Sequence, residues 1–128
     1  MSVPSAASAS WAETAAPEPP ELAIPRFVTW VEALPGMPVF VAHPATWDFG
    51  FVYWYLIRFC GHSPFGHSAL DMKTLAMALL KLPFRDCSKR NFPAAWRSDV
   101  HAHTHVALDD AREQAHILAA MLRDLDAR

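Results

Sequence analysis

The feature that most constrains the fold of this sequence is the stretch from Thr46 to Cys60, which is apolar almost all round. Its only acid is Asp48 and its only base is Arg58. The first residue of the stretch is a suitable N-cap and Gly61 is a suitable terminator, so the pattern predicts one helix. A helix without a polar face is usually buried in a core or against a partner. Its longest apolar run, Phe49 to Ile57, is too short to cross a bilayer, so no membrane partner is expected.

The other predicted elements are short and lie on both sides of this helix. The β-branched, apolar run from Pro38 to His43 predicts a buried strand. Another short strand is expected between the apolar helix and the next one. Three more helices are predicted, over about Pro25–Leu34, over about Asp71–Leu82 and from Asp109 or Asp110 almost to the C-terminus. About four helices with very little sheet make an α/β layout.

Composition limits the size and the environment of this fold. The chain has 128 residues, which suffice for one domain. Residues 1–24 are expected to be a disordered or low-complexity tail, and residues 25–128 the folded domain. Without a signal-peptide pattern or a disulfide framework, a cytoplasmic location is expected. The formal net charge of -2 excludes a global field that attracts nucleic acid, so such a site requires a local patch.

Two acidic positions are candidates for chemistry. Asp48 is costly to bury unless it is paired or bound to a cation, although a carboxylate in a first helical turn also suits the helix dipole. Asp110 lies at the start of the last helix, five residues after His105, and Asp109 beside it is an equally good cap. Carboxylates bind Mg²⁺ or Mn²⁺, and an imidazole can accept a proton from a metal-held water.

Two further patterns leave alternatives open. His101, His103 and His105 alternate, and on a strand they would share a face that could hold zinc. The basic segment from Lys81 to Arg97 carries five bases, with Phe84, Phe92 and Trp96 between them. Bases and rings in this combination suit single-stranded nucleic acid. The alternative is a solvated loop whose aromatic side chains pack onto the domain.

The two acidic segments together resemble the DEDDh family of 3′–5′ exonucleases. PVFVAHPATWDFGFVYWYL is similar to the family's second motif, a buried strand followed by an Asp on the next helix. HVALDDA is similar to the third motif, with His, then Asp and Ala opening the last helix. The resemblance covers about residues 25–126. It implies a ribonuclease H-like fold, here incomplete with a small sheet remnant, and hydrolysis of phosphodiesters at the 3′ end of single-stranded DNA or RNA.

The resemblance also implies roles for individual residues. Asp48 and Asp110 match metal-binding positions of the family, and His105 matches its general base. The candidate substrate-binding residues are His43, Phe49, Lys89 and Arg90.

The chain departs from the family at the first motif, an Asp-x-Glu on a strand before the first helix. No aspartate precedes Asp48, so two of the family's four acidic ligands are missing and the chain is interpreted as N-terminally truncated. At most one Mg²⁺ or Mn²⁺ ion, weakly held, is expected in place of the family's two. Nuclease activity is therefore expected to be lost or impaired. The predicted strand would also have an exposed edge, which favours a homodimer or a partner that completes the sheet.

Two other functions are compatible with the sequence. A non-catalytic module would bind single-stranded nucleic acid through the basic segment, in a salt-sensitive way and without cleavage. An interaction protein would dock the apolar helix 46–60 on a partner.

Overall fold

The computed structural model describes residues 17–97 and 106–128. Within these ranges it has four α-helices and one two-stranded parallel sheet, which confirms the α/β class. Three single-turn 3₁₀ helices lie between the last two α-helices. In chain order the elements are α1 (Pro20–Glu32), β1 (Phe40–Ala42), α2 (Ala45–Cys60), β2 (Ala69–Asp71), α3 (Met72–Leu80), the 3₁₀ turns Phe84–Asp86, Lys89–Asn91 and Ala94–Trp96, and α4 (Ala107–Asp126).

Three helices begin earlier than the sequence predicted. α1 begins at Pro20, so residues 20–24 are helical rather than part of a tail. A proline suits that first position because its φ is already helical and its missing N–H would have had no partner there. α2 begins at Ala45, so Thr46 is not its N-cap, and α4 begins at Ala107, which places Asp110 within its first turn. The predicted end of α2 is confirmed.

The sheet brings the carboxyl ends of its two strands to one edge. β1 and β2 pair in parallel, with Phe40 opposite Ala69, Val41 opposite Leu70 and Ala42 opposite Asp71. α2 connects them, so the three elements form a β-α-β unit. Because the described ranges contain only these two strands, each strand has one edge without a neighbouring strand.

The carboxylate of Asp71 connects the end of β2 to the first turns of two helices. Its Oδ1 accepts a hydrogen bond of 2.9 Å from the backbone N–H of Ala45, the first residue of α2. Its Oδ2 accepts hydrogen bonds from the N–H and the hydroxyl of Thr74 in α3, at 2.9 and 2.6 Å. Helix N-termini carry unpaired N–H groups and a partial positive charge, so one ionised side chain satisfies both ends.

Hydrogen bonding also changes the acidity of Asp71. Burial by itself would raise the pKa of this carboxyl, but the hydrogen bonds from Thr74 and Ala45 outweigh burial and hold the pKa below its ordinary value. The side chain is therefore ionised at neutral pH, which is the form that both helix ends favour.

The hydrophobic core lies between α3, the 3₁₀ segment and α4. Its largest fully buried side chains there are Trp96, Met72 and Met121. α2 buries only Ala45 and Leu56 completely, because α1 and two short strands cover one side of it. The sequence predicted burial in a core or against a partner, and within the chain this helix is only partly buried. None of the described helices is long and apolar enough to cross a membrane.

Replacing Asp71 by Asn tests whether its carboxylate caps both α2 and α3. The amide keeps the size of the side chain but loses the charge and one acceptor oxygen. We expect the free energy of unfolding at pH 7, measured by urea denaturation, to fall by about 1–3 kcal/mol.

The folded-state pKa of Asp71 is depressed, so the stabilisation that its carboxylate supplies is present above the ordinary value of 3.8 and is lost as the pH falls through the folded value. Below about pH 4, the wild-type chain should therefore lose stability more steeply than Asp71→Asn.

Asp86→Asn is the matched control, because Asp86 is exposed in the first 3₁₀ turn. This variant should change the free energy of unfolding by less than about 0.5 kcal/mol. If Asp71→Asn were as stable as Asp86→Asn, the carboxylate would not hold the two helices.

Candidate metal and nucleic-acid site

Asp48 and Asp110 line the same cavity, although they lie far apart in the chain. The cavity has a volume of about 600 Å³ and is also lined by the three residues of β1. α2 contributes Asp48 from its first turn, and α4 contributes Asp110 from its first turn. The structure thus brings together the two acids that the sequence singled out. Their binding of a metal stays a prediction.

Both carboxylates lie at the N-terminal ends of helices. Each lies in a first turn, where the partial positive charge of the helix N-terminus attracts an anion. The alternative in which Asp48 stabilises the helix dipole therefore stays open beside the metal-binding one, and the first N–H of α2 is capped by Asp71. An ionised carboxylate is also the form that binds a metal ion.

One polar residue of the cavity was missed by the sequence analysis. Gln114 lies one helical turn after Asp110 on α4, and its side chain lines the same cavity. The i, i+4 spacing from Asp110 was the signal that could have identified it. The other lining residues are apolar, including Val52, Met72 and Leu118. A few polar groups in a largely apolar cavity are typical of ligand sites.

His43 follows β1 but is not one of the residues that line the cavity. Its ring packs edge-on against Phe92, with 5.6 Å between the ring centroids. Burial lowers the pKa of His43, and the nearby positive charge of Lys89 lowers it further. Its Nε2 is buried and has no hydrogen-bond partner among the described residues. The predicted contact of His43 with substrate stays a prediction.

Phe49 is likewise not among the residues that line the cavity of the two acids. Its ring packs against Phe40 and Tyr53, at centroid distances of 5.1 and 5.6 Å. Phe40 does line the cavity, so Phe49 packs against one of the lining residues. Its role as a substrate contact stays a prediction.

The two bases that were predicted to bind substrate differ in their surroundings. Lys89 forms an ion pair of 2.5 Å with Glu113 of α4, and both side chains are partly buried. Phosphate binding by Lys89 would require this pair to open. Arg90 is exposed, and its backbone carbonyl accepts a hydrogen bond from Arg97. Arg90 is therefore the more accessible of the two for a polyanion.

The aromatic residues of the basic segment belong mostly to the core. Phe92 and Trp96 are 2% and 1% exposed, and their rings pack edge-on at 5.2 Å. The indole Nε1 of Trp96 donates a hydrogen bond of 2.6 Å to Asp124 of α4. These two rings pack onto the domain, as the alternative predicted. They are too deeply buried to stack on nucleobases. Phe84 is 46% exposed, and the Nζ of Lys73 lies 4.7 Å from its ring centre.

The three alternating histidines, including the predicted general base His105, lie outside the described residues. Their zinc-binding alternative and the role of His105 are therefore not described by the structure. Among residues 17–97 and 106–128, no group of three or more His, Cys, Asp or Glu side chains is arranged to hold a metal ion.

No protein-family model, curated protein or solved structure matches this chain. The class of the protein therefore rests on its own geometry, an α/β domain with an acidic cavity beside β1 of a two-stranded parallel sheet. Domains of this class support many different activities, so a function has to be inferred from the chemistry of the cavity.

Substituting Trp96 by Ala distinguishes a core ring from a nucleic-acid contact. We expect the free energy of unfolding to fall by about 3–5 kcal/mol, because a large buried ring is removed and a cavity is left. Urea denaturation followed by far-UV circular dichroism measures the change. The control Phe84→Ala removes a half-exposed ring and should cost less than about 1 kcal/mol. Equal losses in the two variants would contradict the placement of Trp96 in the core.

Proposed function

We propose that this chain is a domain of the 3′–5′ exonuclease type with a ribonuclease H-like origin, in which Asp48 and Asp110 bind a divalent cation. The observation that carries the proposal is the cavity of about 600 Å³ that these two acids share. They are the same two residues that match the metal-binding positions of the DEDDh exonucleases. A chance resemblance of two short segments would have no reason to place both acids in one cavity.

The donor set fits a hard cation. Carboxylate oxygens from α2 and α4 and the amide oxygen of Gln114 are the ligand type that Mg²⁺ and Mn²⁺ prefer. Magnesium is commonly held by one or two carboxylates, with waters and substrate phosphates completing its coordination. One such ion would supply positive charge to a phosphodiester in the cavity. Asp48 and Asp110 would hold it, and the apolar walls would limit access of bulk water.

The activity of this chain is expected to be impaired. Efficient cleavage of a phosphodiester by this chemistry uses two ions about 3.5–4 Å apart. The chain has no aspartate before Asp48, so the acidic set of the family is incomplete in it. Two carboxylates suffice for one ion but not for the pair. His105, which precedes Asp110 by five residues, is assigned the proton-accepting role by resemblance.

The substrate class that we propose is the 3′ end of single-stranded DNA or RNA. Arg85, Arg90 and the half-exposed Phe84 are exposed residues of the basic segment that could contact a phosphate chain and a base. The same exposed residues support the second candidate, a module that binds single strands without cutting them.

Titration of the full chain with Mn²⁺ tests the metal site. Isothermal calorimetry should detect one weakly bound ion in the wild-type chain. Asp48→Asn and Asp110→Asn each remove one anionic ligand and should weaken the affinity by at least about tenfold. Asp109→Asn is the matched control, since Asp109 lies in the same turn as Asp110 but faces Arg112 and does not line the cavity. Equal Mn²⁺ affinity in all four proteins would exclude the site.

A nuclease assay separates the two candidate functions. A 5′-labelled single strand is incubated with the chain and Mn²⁺, beside Asp110→Ala. We expect slow or undetectable shortening from the 3′ end, and any shortening should disappear in the variant. Cleavage that survives Asp110→Ala would remove the catalytic assignment. Salt-sensitive binding of the strand without Mn²⁺-dependent cleavage or Mn²⁺ binding would favour the non-catalytic module.

A further inference from the structure

The outer face of α2 is a continuous aromatic surface. Trp47, Phe51, Trp54 and Tyr55 recur at helical spacing, so they form one stripe along the helix. They are 68%, 57%, 57% and 38% exposed. The rings of Trp47 and Phe51 touch at a centroid distance of 5.3 Å, and those of Trp54 and Tyr55 at 5.1 Å. Four adjoining exposed rings are far more than the scattered apolar residues of an ordinary surface.

A groove runs through the middle of this aromatic face. Its volume is about 560 Å³, and it is lined by Thr46, Trp47, Gly50, Phe51, Trp54 and Tyr55. Gly50 forms the floor, and a Cβ built on it would meet no atom within 4 Å. The backbone of α2 is therefore accessible to another apolar surface at this point. None of the groove residues lines the cavity of Asp48 and Asp110, so the two sites are separate.

The charges around the face indicate what can cover it. All six groove residues are uncharged, and the only base in α2 is Arg58, near its C-terminal end. Helices that lie on membrane surfaces combine an apolar face with many lysines or arginines, which α2 lacks. A nucleic-acid backbone would also need bases here. The matching surface is thus apolar and uncharged, and the same face of a second copy has that character.

The exposed area agrees with a dimer. An aromatic side chain has about 150–250 Å² of surface, so the exposed fractions leave about 500 Å² of ring surface uncovered on each copy. Two copies face to face would bury at most about 1,000 Å² in total, which only reaches the minimum for a specific interface and indicates a weak, concentration-dependent dimer.

We propose that this protein forms a homodimer through the aromatic face of α2, with the two copies of α2 packed antiparallel. The interface is isologous, as in most two-fold dimers. In an antiparallel pair centred between Gly50 and Phe51, Trp47 of one copy lies opposite Trp54 of the partner subunit. The absence of a Cβ at Gly50 lets the helices approach, and their dipoles run in opposite directions.

Gly50→Lys is the sharpest test, because it affects the monomer and the dimer in opposite ways. Lysine is a better helix former than glycine, its stem can extend from the exposed groove into solvent, and a Cβ at position 50 meets no described atom within 4 Å, so the thermal midpoint of a monomer should not fall. In the proposed dimer, the two lysines meet near the two-fold axis and block the groove. Sedimentation equilibrium over a range of concentrations should show that the dissociation constant of the dimer rises by at least about tenfold.

Two further variants keep the test decisive. Ala78→Lys introduces the same side chain at an exposed position of α3 and should leave the dimer unchanged. Trp54→Gln removes an exposed ring and should weaken the dimer even if Gly50→Lys proved hard to purify. A wild-type chain that is monomeric at all concentrations would overturn the proposal, as would a dimer that resists both α2 variants. Trp54-dependent binding to neutral lipid vesicles by a monomer would overturn it in favour of a membrane surface.

The outcome is independent of the metal site. Asp48→Asn and Asp110→Asn should dimerise like the wild-type chain, since neither residue lines the groove. A wild-type chain that dimerises without binding Mn²⁺, or that binds Mn²⁺ without dimerising, would identify which of the two proposals had failed.

Discussion

The arrangement of this protein depends on one carboxylate at the end of β2. Asp71 accepts hydrogen bonds from the first turns of α2 and α3, so a single charge holds the sheet edge and two helix N-termini together. A two-stranded sheet has few ladder hydrogen bonds of its own and is marginal without such support. The depressed pKa of Asp71 has the same origin, since these hydrogen bonds are made to the ionised side chain.

The position of the acidic cavity follows from this link and from the core. Asp71 holds the start of α2, which is the turn that carries Asp48. α4 is held by the packing of Ile117 and Met121 in the core and by the hydrogen bond between Trp96 and Asp124. The ion pair of Lys89 and Glu113 ties the same helix to the 3₁₀ segment. Lys89 and Trp96, which the sequence suggested as nucleic-acid contacts, thus help to hold the helix that carries Asp110.

The small sheet also explains the surface of α2. Two short strands and α1 cover one side of this helix, and its other side presents tryptophan and phenylalanine rings to solvent. Hydrophobic burial favours covering such a face, at roughly 25 cal/mol for each Å² removed from water. The acidic cavity and the aromatic face share α2 but use different sides of it, so binding at one does not require the other to be empty.

The sequence by itself determined the α/β class, the order of the elements and the end of α2 at Gly61, and it singled out the two acids that the structure brings to one cavity. These features depend on local rules: apolar spacing, the backbone freedom of glycine and the preference of carboxylates for helix starts. Only the tertiary structure decided that Asp71 caps two helices, that Trp96 and Phe92 belong to the core, and that Gln114 joins Asp48 and Asp110 at one cavity. Those facts depend on which elements pack against each other, and the spacing of residues along the chain does not contain that information.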